Sequence, residues 1–133
     1  MGDGDELAGG ARANQLADGV GGVAEVLCVK GSGWDMGDIE AAGLPAVRLE
    51  PLRALQSLES LSDEDMVNFE RSNLMESSAP TPSIETLLHA FLPHKFVDHT
   101  HSTAILSLTN QPNGEALCRE VLEDRAGIVP YIK

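Results

Sequence analysis

The stretch Lys95-Phe96-Val97-Asp98-His99-Thr100-His101 decides how this chain is read. It lies just past Pro93, which stops the helix-forming segment before it, and its composition predicts a short strand. Residues two apart on a strand point to the same side, so His99 and His101 can present both imidazoles to one ion. Neutral imidazole is the commonest protein ligand for zinc and similar divalent metals. The pair alone reads equally well as two solvated side chains at a strand end, so the meaning of the motif depends on its surroundings.

Upstream, Ser83 has the character of a helix N-cap, with Ile84, Leu87, Leu88 and Phe91 spaced to share one helical face. Glu85 then falls in the first turn, where its carboxylate is a candidate third ligand or general base. An acid at that place also simply complements the helix dipole. His89, four residues on, shares the face of Glu85 and reads first as a packing residue. The segment before it, Glu76-Ser77-Ser78-Ala79-Pro80-Thr81-Pro82, is a loop by every local signal. Further upstream, Ala24-Glu25-Val26-Leu27-Cys28-Val29-Lys30 predicts a buried strand broken by Gly31-Ser32-Gly33. A Gly-Ser-Gly turn can cradle an anion on a hydroxyl and backbone amides, and Ser83 at a helix start is a second anion-friendly position. A plain turn and a plain cap would look the same.

The remaining pattern is a mixture of helices and strands. Residues 46–50 predict a second strand, and Pro51 opens a helix with Leu52, Leu55 and Leu58. Ser62-Asp63-Glu64-Asp65 resembles a capping box for a helix carrying Met66, Val67 and Phe69 and ending near Asn73. Residues 104–108 predict a helix, Asn113 caps a last one through Asp124 with Gly127 past its end, and Ile128-Val129-Pro130-Tyr131-Ile132 predicts a final strand. Residues 1–22, rich in Gly, Ala, Asp and Asn, are expected to be poorly ordered, leaving 23–133 as the folded part. Such an alternation implies one layered α/β or α+β core.

Composition narrows the function classes. With 21 acidic and 9 basic residues the net charge is −12, and no basic stripe offsets it, which argues against nucleic acid as a partner. An anionic small substrate stays compatible, because a metal ion and local amides override the global field. No apolar run reaches the roughly 18 residues of a membrane span, and the acidic start Met1-Gly2-Asp3-Gly4-Asp5-Glu6 is unlike a secretory signal, so a cytoplasmic protein without a membrane partner is expected. Cys28 and Cys118 form no motif and read as buried free thiols.

Three motifs in order, Val29-Lys30-Gly31-Ser32-Gly33-Trp34-Asp35, Thr81-Pro82-Ser83-Ile84-Glu85 with His89, and Phe96-Val97-Asp98-His99-Thr100-His101-Ser102, resemble class II aldolase/adducin domains. The likeness runs from about Ala24 to Lys133, including Gly127-Ile128-Val129-Pro130-Tyr131. Within the family it is most similar to the aldolase portion of rhamnulose-phosphate aldolase/dehydrogenase fusions. The resemblance implies a three-layer αβα domain around a mixed, largely antiparallel sheet, assembled as a homo-tetramer. It implies a divalent metal, typically Zn2+, on His99 and His101, with Glu85 as catalytic acid/base and further ligand. Ser32, Gly33 and Ser83 match positions that hold the substrate phosphate; Ile84 stands where relatives often carry a second serine. The implied reaction is retro-aldol cleavage of a ketose phosphate, leaving an enediolate on the ketone fragment that the metal stabilises, the work of an aldehyde-lyase. Epimerisation or decarboxylation at the same site, and a non-catalytic adducin-like interaction domain, are the alternatives.

Two departures bear on this. The family's Gly-Asn-x-Ser-type loop is replaced by a segment ending Asp18-Gly19-Val20-Gly21-Gly22, and the family's third histidine ligand, well downstream of the pair, is not met before Lys133. An incomplete family domain, a fragment, is therefore expected.

Overall fold

Strand β2, Val23–Val29, is the axis of the fold. The computed structural model describes residues 7–131, with side chains described from Gln15 onward. Among the described residues, four strands form one sheet in the order β3-β2-β1-β4, with β1 spanning Leu7–Ala17, β3 Ala46–Arg48 and β4 Phe96–Thr100. The β1–β2 and β2–β3 ladders are antiparallel: Ala11 faces Cys28 and Ala13 faces Val26 across β1 and β2, and Leu27 faces Val47 across β2 and β3. The chain divides into two compact units, one from Leu7 to His99 and one from Thr100 onward.

The stretch expected to be poorly ordered thus carries β1. Its specification is in the backbone and the turn rather than in a period of apolar residues. Asp18 Oδ1 accepts hydrogen bonds from the amides of Val20 (2.9 Å) and Gly22 (2.8 Å), and Gly19 and Gly21 take φ of 82° and 95°. These bonds hold the Asp18 carboxyl below its ordinary pKa. Only glycine adopts such φ values freely, so the Gly-rich composition that suggested disorder closes a hairpin.

Within the first unit, α1 (Leu49–Ala54) and α3 (Thr86–Phe91) lie against β2. Leu27, Val29, Val47, Leu49, Leu52, Leu74 and Ala90 form the buried cluster, with Phe69, Ala79, Leu87 and Phe91 packed on it. The second strand is shorter than expected because Leu49 and Glu50 are already helical, and Pro51 occupies the first turn of α1, where its missing N–H costs nothing. Helix α2, Asp63–Ser72, starts as expected: Ser62 Oγ accepts from the Asp65 amide at 3.1 Å. The return contact goes to the side chain, with Ser62 Oγ donating to Asp65 Oδ2 at 2.7 Å.

In the second unit, α4 (Thr103–Thr109) and α5 (Gly114–Leu122) pack on each other, and Cys118 on α5 is a buried free thiol. Gly114 abuts the carbonyls of Leu108 and Thr109, leaving no space for a Cβ. Helix α5 ends at Leu122, earlier than expected, and Glu123 rather than Gly127 takes the positive φ of 52° that breaks it. The final strand expected at 128–132 is not formed over 128–131. Val129 and Tyr131 are exposed there, and an apolar run becomes a strand only when a ladder partner receives it. Ile132 lies outside the described residues.

Close packing beneath the Gly-Ser-Gly turn is tight enough to test. A Cβ on Gly43 would meet Trp34 Cδ2 at 2.6 Å and Ile39 Cγ1 at 2.8 Å. Gly43→Ala is expected to lower stability by about 1–3 kcal/mol, the cost of overpacking, as read by urea denaturation.

Candidate metal centre

Glu85 and His99, the two less exposed members of the centre, both belong to the first unit. Glu85 occupies the N-cap position of α3, with φ −84° and ψ 3°, and its carbonyl accepts the His89 amide at 3.1 Å. His99 stands near the end of β4, half-buried, with Nδ1 4.0 Å from Glu85 Oε1. His101 follows two residues later on the run-out of the same strand and is exposed, so chain continuity with His99 places it. One donor atom from each of Glu85, His99 and His101 lies within 4.8 Å of the other two. Small side-chain rotations bring such a spacing to shared ligation. Two imidazoles and one carboxylate, leaving further positions open, is a donor set used by catalytic zinc sites, and it fits a divalent ion.

Ser83 departs from its expected role. The turn over residues 83–85 delays the helix to Thr86, whose amide and hydroxyl both donate to the Ser83 carbonyl. The Ser83 hydroxyl caps nothing; it is buried, and its Oγ has no hydrogen-bond partner among the described residues. The delay also resets the helical phase. Ile84 and Leu88, expected inside, are 70% and 49% exposed, while Thr86, His89 and Ala90 are buried. The turn has first claim on residues 83–85, so the apolar positions counted from Ser83 are out of register with the core.

The Gly31-Ser32-Gly33 turn and the Thr81-Pro82-Ser83 segment run side by side. Gly31 and Pro82 form an antiparallel bridge, the Ser32 amide donates to the Thr81 carbonyl at 2.8 Å, and the Ser83 amide donates to the Lys30 carbonyl at 3.0 Å. Those two amides are therefore spent, leaving the Ser32 and Ser83 hydroxyls and the Gly33 amide as donors along the seam. Gly33 takes φ 81°, a conformation that favours glycine, and Gly31 is buried, with the place of its absent Cβ 3.0 Å from Pro80 and 3.1 Å from Trp34. Lys30 Nζ closes the turn on the Trp34 carbonyl at 2.9 Å.

Two buried titratable side chains lie in the electrostatic surroundings of the triad. His89 is fully buried; burial first, and then His99, hold its pKa below the ordinary value, against the opposing pull of Glu85, Asp98 and the Val97 main chain. Glu70 on α2 is also fully buried, and neither carboxyl oxygen has a hydrogen-bond partner among the described residues. Burial, and secondarily the nearby Glu85, push its pKa up to about 7. Sequence reasoning passed over Glu70. The available signal was its position, three and four residues beyond Val67 and Met66, which places an acid on the apolar side of α2.

The fold recurs in known proteins. The chain is similar to the N-terminal class II aldolase domain of a conserved protein from Thermoplasma acidophilum, with 35% identity and a TM-score of 0.81 over 89% of this chain and 55% of that one. It is 41% identical over 109 residues to "Uncharacterized oxidoreductase YuxG" of Bacillus subtilis (strain 168), a match covering 82% of this chain. The chain spans 16% of that relative's length and about half of the solved one's. The architecture is accordingly an α/β class II aldolase-like domain, an antiparallel sheet flanked by helices. Residues 13–133 match the family described as Class II Aldolase and Adducin N-terminal domain, and the chain belongs to that family.

Proposed function

We propose that this chain carries the metal and phosphate subsites of an aldolase-like lyase that cleaves a ketose phosphate. The observation that carries the reading is the convergence of Glu85, His99 and His101 donor atoms within 4.8 Å, beside a seam of hydroxyl and amide donors. His99, His101 and Glu85 would hold the ion, with Zn2+ the best match to two imidazoles and a carboxylate. When bound, it supplies Lewis acidity that draws off the charge developing on the ketone oxygen. The chain's own residues do the rest. Ser32, Gly33 and Ser83 offer the donors that fix the substrate's phosphate, which sets the sugar carbons at a constant distance from Glu85, two residues past Ser83. As the carbon–carbon bond breaks, the hydroxyl on the departing carbon gives up its proton, that fragment leaves as an aldehyde, and the ketone fragment keeps the bonding pair. Glu85 returns a proton to the carbon that held the pair.

The rhamnulose-phosphate aldolase/dehydrogenase type is the branch we favour, supported by a relative named as an oxidoreductase of which this chain matches only a small part. We further propose a cytoplasmic homo-oligomer, a tetramer as in the resembling family. Among the described residues no helix is long and apolar enough to cross a membrane.

The deciding assay incubates the zinc-loaded protein with a panel of ketose 1-phosphates and follows release of a phosphorylated three-carbon ketone. Cleavage of at least one substrate is the expected result. An epimer or a decarboxylated product would move the chemistry to the alternative reactions. Zinc binding without turnover of any kind would overturn the lyase reading in favour of a non-catalytic interaction domain.

A further inference from the structure

We propose that Arg71 is a positioning residue for the anion seam, its guanidinium tying the wall at residues 81–83 to the end of α2 through the Thr81 hydroxyl. The proposal rests on the phosphate reading above for its purpose, and on a chain of hydrogen bonds for its content. Arg71 Nη1 donates to Thr81 Oγ1 at 2.6 Å, ten residues along the chain. The Thr81 carbonyl in turn accepts the Ser32 amide at 2.8 Å, and the Ser83 amide donates to the Lys30 carbonyl at 3.0 Å. The guanidinium is thus joined, through one threonine, to the serine of the opposite wall.

The two walls differ in how they are held. Residues 31–33 follow closely on β2, whereas residues 81–83 arrive from a loop. Residues 73–75 are fixed on β3, by the Arg48 amide on the Asn73 carbonyl and the Met75 amide on the Ala46 carbonyl, each at 2.9 Å. Beyond them the chain turns over 76–80, with the Ala79 amide on the Glu76 carbonyl at 3.1 Å, before it reaches the seam. Arg71 bypasses that loop and ties its far end to a helix.

The C-terminus of α2 explains why the arginine reaches away from its own helix. An arginine in a last turn ordinarily serves that helix's final carbonyls and its dipole. Here those carbonyls have other donors. The Asn73 amide lies 3.2 Å from the Phe69 carbonyl and 3.1 Å from that of Glu70, Asn73 Nδ2 donates to Phe69 at 2.9 Å, and Ser72 Oγ donates to Asn68 at 2.7 Å. Among the described residues no ion pair draws the guanidinium elsewhere. Arg71 is exposed, so its loss should leave global stability nearly unchanged. What it fixes is the distance between two sets of donors, the Ser32 hydroxyl and Gly33 amide on one wall and the Ser83 hydroxyl on the other. Bonds from an ionised donor are shorter and stronger than neutral ones, which suits that task.

The test uses the whole metal-free chain as wild type, Arg71→Met, Thr81→Val and the double variant. Methionine keeps much of the stem and drops the donors; valine is nearly isosteric with threonine and drops the acceptor. Amide hydrogen exchange at Ser32 and Ser83 reads the wall, with the Met75 amide on β3 as internal control. Titration with inorganic phosphate reads the cradle through the fluorescence of Trp34, the chain's one tryptophan, which packs against Gly31. In either single variant, exchange at Ser32 and Ser83 should be about 5–10-fold faster and phosphate affinity about 5–10-fold lower, the equivalent of one net hydrogen bond. Exchange at Met75 should not change. Because Arg71 acts through Thr81, the double variant should be no worse than either single one. Unchanged exchange at Ser32 and Ser83 in Arg71→Met would overturn the proposal. So would full phosphate affinity in Thr81→Val beside a loss in Arg71→Met, since the guanidinium would then act on the anion by its charge. A wild-type protein that binds no phosphate, with exchange responding as expected, would overturn the phosphate reading while still showing the tie.

Discussion

His99→Ala is expected to weaken zinc binding by more than about 100-fold, beyond what loss of an outer-shell partner costs. The reasoning is geometric. His99 is the member of the triad held from two directions, by the sheet through β4 and by Glu85 at 4.0 Å, whereas His101 is exposed. Deleting His99 leaves one exposed imidazole and one carboxylate, a pair that surface chance supplies on many acidic proteins. Equilibrium dialysis with metal analysis gives the answer directly. Wild-type protein should hold one zinc per chain and the variant close to none at micromolar metal. Equal stoichiometry and affinity in the two would remove His99 from the centre. Binding should also weaken in acid, because imidazole must be neutral to ligate.

Glu70→Gln is expected to change the pH dependence of stability by about 3 kcal/mol, the equivalent of a carboxyl moved from 4.5 to about 7. Glu70's folded-state pKa is raised, so between those two values the folded protein holds a proton there that the unfolded chain has released. The neutral acid's contribution is fully present below pH 4.5 and is lost as pH rises to 7 and beyond. Physically, an ionised carboxylate at a fully buried position without a hydrogen-bond partner is expensive, and protonation avoids that cost. Glutamine is nearly isosteric and cannot ionise. Urea denaturation of both proteins at pH 5 and pH 8 should show the variant gaining on wild type by about 3 kcal/mol between the two conditions. A stability difference that stays constant over that range would show Glu70 to be ionised or hydrated in the folded protein.

Much of the centre was legible because its chemistry is carried by short, local patterns. The two-residue spacing of His99 and His101 needs only a strand to be meaningful, and β4 supplies it. Val23–Val29, Ala46–Arg48, the Ser62 cap and the stop at Pro93 follow from the same local rules. What escaped depends on partners distant in sequence or on turn geometry. The hairpin at Asp18–Gly22 reads as low complexity until Asp18's bonds to Val20 and Gly22 are seen. The phase of α3 was off because residues 83–85 turn before they coil, and no periodicity argument registers a turn of that kind. Glu70 escaped because an acid in an amphipathic helix is ordinarily solvated, and only burial reveals the exception. The strand expected at 128–132 shows the opposite error, an apolar run granted structure without a receiving edge.

The seam between Gly31–Gly33 and Thr81–Ser83 has a kinetic side. Its hydrogen bonds join residues roughly fifty positions apart, so the intervening chain must be closed into a loop before any of them forms. Helices α1 and α2 lie within that loop and need only local contacts. Long-range closures of this kind are slow steps in folding, whereas helices form early. The anion capture proposed for the seam would thus be acquired late. During refolding, the far-ultraviolet helical signal should rise before the protein gains any affinity for inorganic phosphate, and the interval between the two measures how long the half-built cradle waits for its other wall.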